Sequence, residues 1–321
     1  MFIEQYKKGD NNWIYYLMTI LMVPIGYIIF QMPLTGYLFY AVDKYDDVTA
    51  AQISEFESNP DFSLLHLDKS IGLILMIMMF VGVWLALFIG LRFLHKRPFL
   101  TLITPLKSIN WSKILFSFGL FVGLSLFYDV ISYGMYPEAY SLNFDLSNFI
   151  PLLIIGIIIL PIQTTAEELF FRGYLLQGVV SWLKEPWIAV LITSILFGLI
   201  HGQNPEIQEY GVAPMMIYYI GAGIFLALIT VFDNSLELAI GIHAAINFYA
   251  AVISSYSGAV LQTDTILKSN EMNPWLADFV MIIAFIIFMY ICSKKYNWPP
   301  IGELIKKLDK NILEKIENKT I

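Results

Sequence analysis

Apolar residues along this chain come in long unbroken blocks, near 13–41, 70–94, 113–132, 149–170, 187–201, 214–232, 236–256 and 276–293. A bilayer helix needs roughly 20 predominantly apolar residues, and every block except 187–201 can reach that length. The pattern predicts an all-α fold, a polytopic membrane helical bundle of about eight transmembrane helices. Pro24 and Pro33 fall inside the first block, which predicts a kinked or broken helix whose freed carbonyls are covered by neighbours. That block is too long for a signal-peptide core and lacks a small-residue cleavage site, so it reads as a retained span.

Beyond the last block, Ile301, Leu304, Ile305, Leu308, Ile312, Leu313 and Ile316 recur at helical spacing with lysines between them. This predicts an amphipathic tail helix, lying on an anionic leaflet or facing a partner. With no long internal repeat, the simplest division is into N-terminal helices (1–148), a helical core (149–256), and a last span with the tail (257–321).

Composition agrees with the pattern. Of 321 residues, 58% are hydrophobic and 14% charged, against about one quarter charged in soluble domains. Cys292 is the sole cysteine, which excludes an internal disulfide and cysteine-based zinc sites. The net charge of −7, with no basic patch interleaved with aromatics, argues against a nucleic-acid partner.

Charge placement sets an orientation. Eight crossings bring Lys7, Lys8, Arg92, Lys96, Arg97, Lys107, Lys113, Lys184 and the seven lysines after residue 293 to one side. The other side holds Lys44, Lys69 and Lys268 and an acidic first loop. Cytoplasmic loops carry the lysine and arginine excess, so both termini are expected in the cytoplasm.

Against this apolar background a few polar residues stand out. "AEELFFRG" (166–173) brings two adjacent carboxylates and a guanidinium to the end of an uncharged stretch. Glu168 and Arg172 are four apart with the acid first, the favourable order for a helical ion pair. Glu167 points about 100° away, so Arg172 neutralises one acid and leaves the other available. His201 ends the short block with Phe197 one turn earlier, and His243 is followed one turn on by Asn247. His66 and His95 fall in loops or at helix edges and read as ordinary. Singly, a carboxylate pair at a helix end is interfacial decoration and a helix histidine is packing. Together, in a chain this poor in polar side chains, they read as a site.

The turn "LKEPW" (183–187) lies about 16 residues from both Glu167 and His201. A helical hairpin would therefore set the two facing each other, roughly 24 Å from the turn. His243 lies only about 13 Å from its nearest turn on the same side by the same rise, so the hairpin must tilt or project into the cytosol, and the moderately apolar residues 173–184 favour projection.

The ordered set E-E-x-x-x-R (Glu167, Glu168, Arg172), F-x-x-x-H (Phe197, His201) and H-x-x-x-N (His243, Asn247) resembles the CPBP family of intramembrane proteases, also called Abi proteins. That family includes CAAX prenyl endopeptidases and bacterial bacteriocin-processing and self-immunity proteins. The match covers about residues 150–256, with no departure at the motif positions.

The resemblance implies a hydrolase in a bacterial plasma membrane, acting on a membrane protein or peptide. Glu167 and His201 would activate a water, while His243 and Asn247 would polarise the scissile carbonyl and stabilise the oxyanion. Two mechanisms stay open, a metal-free glutamate one and a His₂Glu zinc site built from Glu167, His201 and His243. A transporter would also put charge at membrane depth, but should show a repeated half. A non-catalytic immunity or scaffold protein of the same fold is the harder rival.

Overall fold

The computed structural model describes residues 1–270, 272–306 and 308–309. The chain opens with a 3₁₀ segment, Phe2–Lys8. The helices are α1 (Trp13–Lys44), α2 (Ala50–Ser58), α3 (Lys69–Ile89), α4 (Trp111–Met135), α5 (Leu146–Ile158), α6 (Leu160–Glu168), α7 (Leu176–Leu183), α8 (Pro186–Ile200), α9 (Pro205–Tyr210), α10 (Val212–Asp233), α11 (Glu237–Phe248), α12 (Pro274–Lys295) and α13 (Ile301–Lys306). Strands β1 (Tyr140–Leu142), β2 (Ser254–Tyr256) and β3 (Leu267–Ser269) form one small sheet in the order β1-β3-β2. An all-α membrane bundle with this minor sheet is what the apolar blocks require.

Six of the described helical stretches are long and apolar enough to cross a bilayer, and two further apolar ones, Pro186–Ile200 and Glu237–Ile253, are shorter. The apolar blocks are thus all helical, but eight full-length spans are not what forms. The 187–201 block is short as expected; the 236–256 block is cut shorter because its last residues leave the helix for β2. The first block does not break: α1 runs continuously through Pro24 and Pro33. Of the tail, only Ile301–Lys306 is described as helix; Ile312, Leu313 and Ile316 lie outside the described residues.

Helix packing follows close approach more than side-chain bulk. A Cβ added to Gly82 of α3 would sit 2.1 Å from the Gly26 carbonyl oxygen of α1, so the two backbones touch there. This small-residue contact is how helices gain packing energy in lipid. Isoleucines, leucines and phenylalanines on the outer faces of α1, α4 and α12 remain exposed, as a lipid-facing surface demands.

Two ends can be distinguished. At one, Phe2 donates its N–H to Asn234 Oδ1 (2.6 Å), Lys113 pairs with Asp233 (2.7 Å) and Lys184 reaches the Tyr6 hydroxyl (3.1 Å). At the other, the small sheet gathers the α4–α5 connection and the segment after α11, and Lys69 pairs with Asp264 (3.2 Å).

The stretch Leu146–Leu183 is nearly continuous helix. It steps at Ile159, where Pro161 removes the N–H that would have bonded one turn back. Helix then continues through the π segment Leu169–Leu175 into α7, turns at Lys184 (φ 57°) and returns as α8. The hairpin expected from the "LKEPW" turn therefore forms. Its tip is wrapped by polar contacts from outside the bundle. Gln177 accepts from Arg97 (2.9 Å) and donates to the Thr101 carbonyl (2.9 Å), and His95 meets the Tyr174 hydroxyl (2.7 Å).

Candidate functional site

Glu167 and Glu168 close α6, and the π segment Leu169–Leu175 begins directly after them. Another π segment, Tyr249–Ile253, follows α11 two residues after Asn247. Such bulges are frequent at functional sites because they re-aim side chains without ending a helix.

Arg172 and Glu168 are fully buried and form the i,i+4 pair, Nη1 to Oε1 at 2.7 Å. The guanidinium lies 4.2 Å from the Phe197 ring centroid and reaches the Gly223 carbonyl at 3.4 Å. The same Glu168 oxygen receives a second donor, His243 Nδ1 at 2.7 Å. Sequence reasoning gave Glu168 one partner and missed this one. Seventy-five residues separate the two, and no local spacing could signal the contact.

His201 occupies the C-cap of α8 and puts Nδ1 2.7 Å from the Phe197 carbonyl oxygen. Its ring is flanked by Phe197 (centroids 4.5 Å) and by Tyr219 of α10 (4.5 Å, 23° between planes). Phe197 also meets His243 edge-on at 6.0 Å. It is a hub joining the guanidinium to both imidazoles.

These bonds fix the imidazole tautomers. A carboxylate held by Arg172 and a peptide carbonyl can only accept, so Nδ1 is the donor in both histidines. In the neutral rings Nε2 then carries a lone pair. Both Nε2 atoms face the same oxygen of Glu167, at 4.0 Å from His201 and 3.9 Å from His243. That oxygen, Oε2, is buried and has no hydrogen-bond partner, while Gln163 donates to Oε1 at 3.4 Å. Three acceptors thus converge on one point, too far apart to bond each other. What satisfies them must bring protons or positive charge.

The donor set is that of a His₂Glu cation site, but the spacing is wide for one. Ligands about 2.0–2.2 Å from tetrahedral zinc lie roughly 3.3–3.5 Å apart, and among the described residues no group of three or more His, Cys, Asp or Glu is arranged to hold a metal. The separations suit a water, which spans two acceptors through hydrogen bonds of about 2.8 Å each.

Asn247 sits one turn beyond His243, half-buried, with no hydrogen bond to its side chain among the described residues. The remaining histidines stand apart. His66 pairs with Asp47 at the surface (2.9 Å), and His95 bridges the Asp10 carbonyl and Tyr174. Gln163, one turn before Glu167, and Tyr219 were not singled out from the sequence. The first could have been found by its i,i−4 spacing, the second by nothing local.

Residues 146–249, which hold this whole constellation, match the model of the family described as type II CAAX prenyl endopeptidase Rce1-like. Over 289 residues the chain is 32% identical to the uncharacterized protein YyaK of Bacillus subtilis (strain 168), a match covering 88% of this chain and 92% of that protein. No solved structure matches.

Proposed function

The chain belongs to the Rce1-like, CPBP family of CAAX-protease-type intramembrane endopeptidases, and we propose that it hydrolyses a peptide bond of a membrane-associated substrate with a water activated by Glu167. The observation that carries this reading is the convergence of Glu167 Oε2 and the two Nε2 atoms on one point.

Proton counting divides the roles. A water at that point donates two hydrogens, and three acceptors face it, so one acceptor must carry a proton of its own. His243 is the better place for it, since its Nδ1 donates to a carboxylate while that of His201 donates only to a neutral carbonyl. The water then donates to Glu167 and His201 and accepts from His243 Nε2–H.

In the reaction Glu167 takes a proton as the water oxygen bonds to the scissile carbon. His243 Nε2–H and the Asn247 amide face the developing oxyanion, where fixed donors contribute most. Collapse breaks the C–N bond, and the proton held by Glu167 passes to the leaving amine. Arg172 keeps Glu168 from adding an unbalanced negative charge beside Glu167. A peptide held at the membrane in extended form fits this site, because an intact helix hides its carbonyls in its own hydrogen bonds; bacteriocin or other peptide processing, or self-immunity, falls within this class.

The test compares peptides released in membranes bearing wild type and Glu167→Gln, by mass spectrometry, and turnover of the released sequence by both purified proteins. Glu167→Gln is expected to lose about 10²-fold or more in rate with its thermal unfolding unchanged. Normal turnover by the variant would remove Glu167 as base. Wild-type turnover is expected to survive 1,10-phenanthroline; loss restored by zinc would transfer the chemistry to a metal.

A further inference from the structure

We infer that Tyr219 and Glu206 are positioning residues for His201, forming a relay that ties the water-activating imidazole to the loop following α11. The assignment rests on His201 serving the site proposed above.

The imidazole is anchored at one atom, Nδ1, by the Phe197 carbonyl. One hydrogen bond lets a ring rock about its anchor, and a rocking ring would swing Nε2 away from Glu167. The Tyr219 ring prevents this, stacking 4.5 Å from His201 opposite the tilted Phe197 ring. Tyr219 is itself tethered: its hydroxyl accepts from Asn204 Nδ2 at 2.9 Å, which leaves the hydroxyl proton to be donated.

Glu206 lies two residues beyond Asn204, the N-cap of α9, and we assign it as the acceptor for that proton. Glu206 is only 4% exposed, and its Oε2 has no formed partner. Its other oxygen is fixed from the far side, receiving the Val260 N–H at 2.8 Å and the Tyr256 hydroxyl at 3.4 Å. Tyr210 adds a second clasp between the same loops, donating to the Ser257 carbonyl at 2.6 Å. A buried carboxylate with one free oxygen is costly unless a donor reaches it, and the unused Tyr219 hydroxyl proton is the donor this relay assigns to it.

The experiment uses full-length protein labelled with ¹⁵N-histidine. With only four histidines in the chain, substitution of each assigns its signals. Wild type is expected to show His201 as a single Nδ1–H tautomer. Tyr219→Leu is expected to mix its tautomers while leaving His95 unchanged, and to lower kcat about tenfold to a hundredfold with KM within about twofold, since a misplaced imidazole misorients the water in the chemical step. Tyr219→Phe keeps the stack and Glu206→Gln keeps the volume. Both should lie between wild type and Tyr219→Leu, and they carry the same test if Tyr219→Leu does not fold. Unchanged His201 signals across the folded variants overturn the relay. Mixed His201 tautomers in Tyr219→Leu, beside a wild type that cleaves nothing, would sustain the relay and defeat the proteolytic reading instead, so the two fail separately.

Discussion

At the scale of single residues, the site is organised by one oxygen. Glu168 Oε1 accepts from both Arg172 and His243, so the pair is at once a buried ion pair and the orienting partner of the His243 imidazole. Removing one member of a buried pair strands the other charge. Arg172→Ala is therefore expected to cost about 3–5 kcal/mol. In a double-mutant cycle of thermal stability, Arg172→Met and Glu168→Gln should couple by more than about 1 kcal/mol; additive losses would mean that the pair contributes nothing as a pair. The ion pair was legible in the sequence because i,i+4 contacts depend only on helical geometry. The His243 contact was not, because it exists only once α11 has packed against α6.

At the scale of elements, the sequence told where helices form but not how far each reaches. Glu167 lies 16 residues from the end of α7, about 24 Å, while His243 lies six residues from the start of α11, about 9 Å. Since these residues meet, the α7–α8 hairpin extends well past the start of α11. Residues 2–10 and 95–104 form a collar around its tip, which no pattern in the sequence announced. His95 ties that collar together, joining the Asp10 carbonyl to Tyr174, with Arg97 nearby. Burial holds the His95 imidazole below its ordinary pKa of 6.5, opposed in part by the Asp10 carbonyl. The folded protein thus binds fewer protons than the unfolded chain as pH falls through that value, so stability present above it is lost below it. Thermal unfolding at about pH 7.5 and 5.5 should show a drop for wild type that shrinks in His95→Gln; equal drops would take His95 out of the pH response.

At the scale of the whole molecule, the two ends differ in kind. The hairpin end carries Lys7, Lys8, Lys96, Lys107, Lys113, Lys184 and Lys294, and four exposed tryptophans, Trp13, Trp111, Trp182 and Trp187, mark its rim. Tryptophan belts sit at headgroup level, and lysine excess marks the cytoplasmic face. The opposite end has the small sheet, the Lys69–Asp264 pair and the α9 clasp to the 254–261 loop. His201 lies toward that clasped end, beside Tyr219, seven residues into α10. His243, by contrast, lies six residues from the start of α11, at the hairpin end that carries the basic surface. We therefore expect cleavage near a substrate's cytoplasmic membrane boundary. Single cysteines at Lys107 and Lys268, both exposed, introduced into a Cys292→Ser chain, report the orientation directly. In sealed cells a membrane-impermeant thiol reagent is expected to label Lys268→Cys and to reach Lys107→Cys only after lysis. Labelling of Lys107→Cys in intact cells would turn the molecule over, and would place the basic rim and its substrates outside.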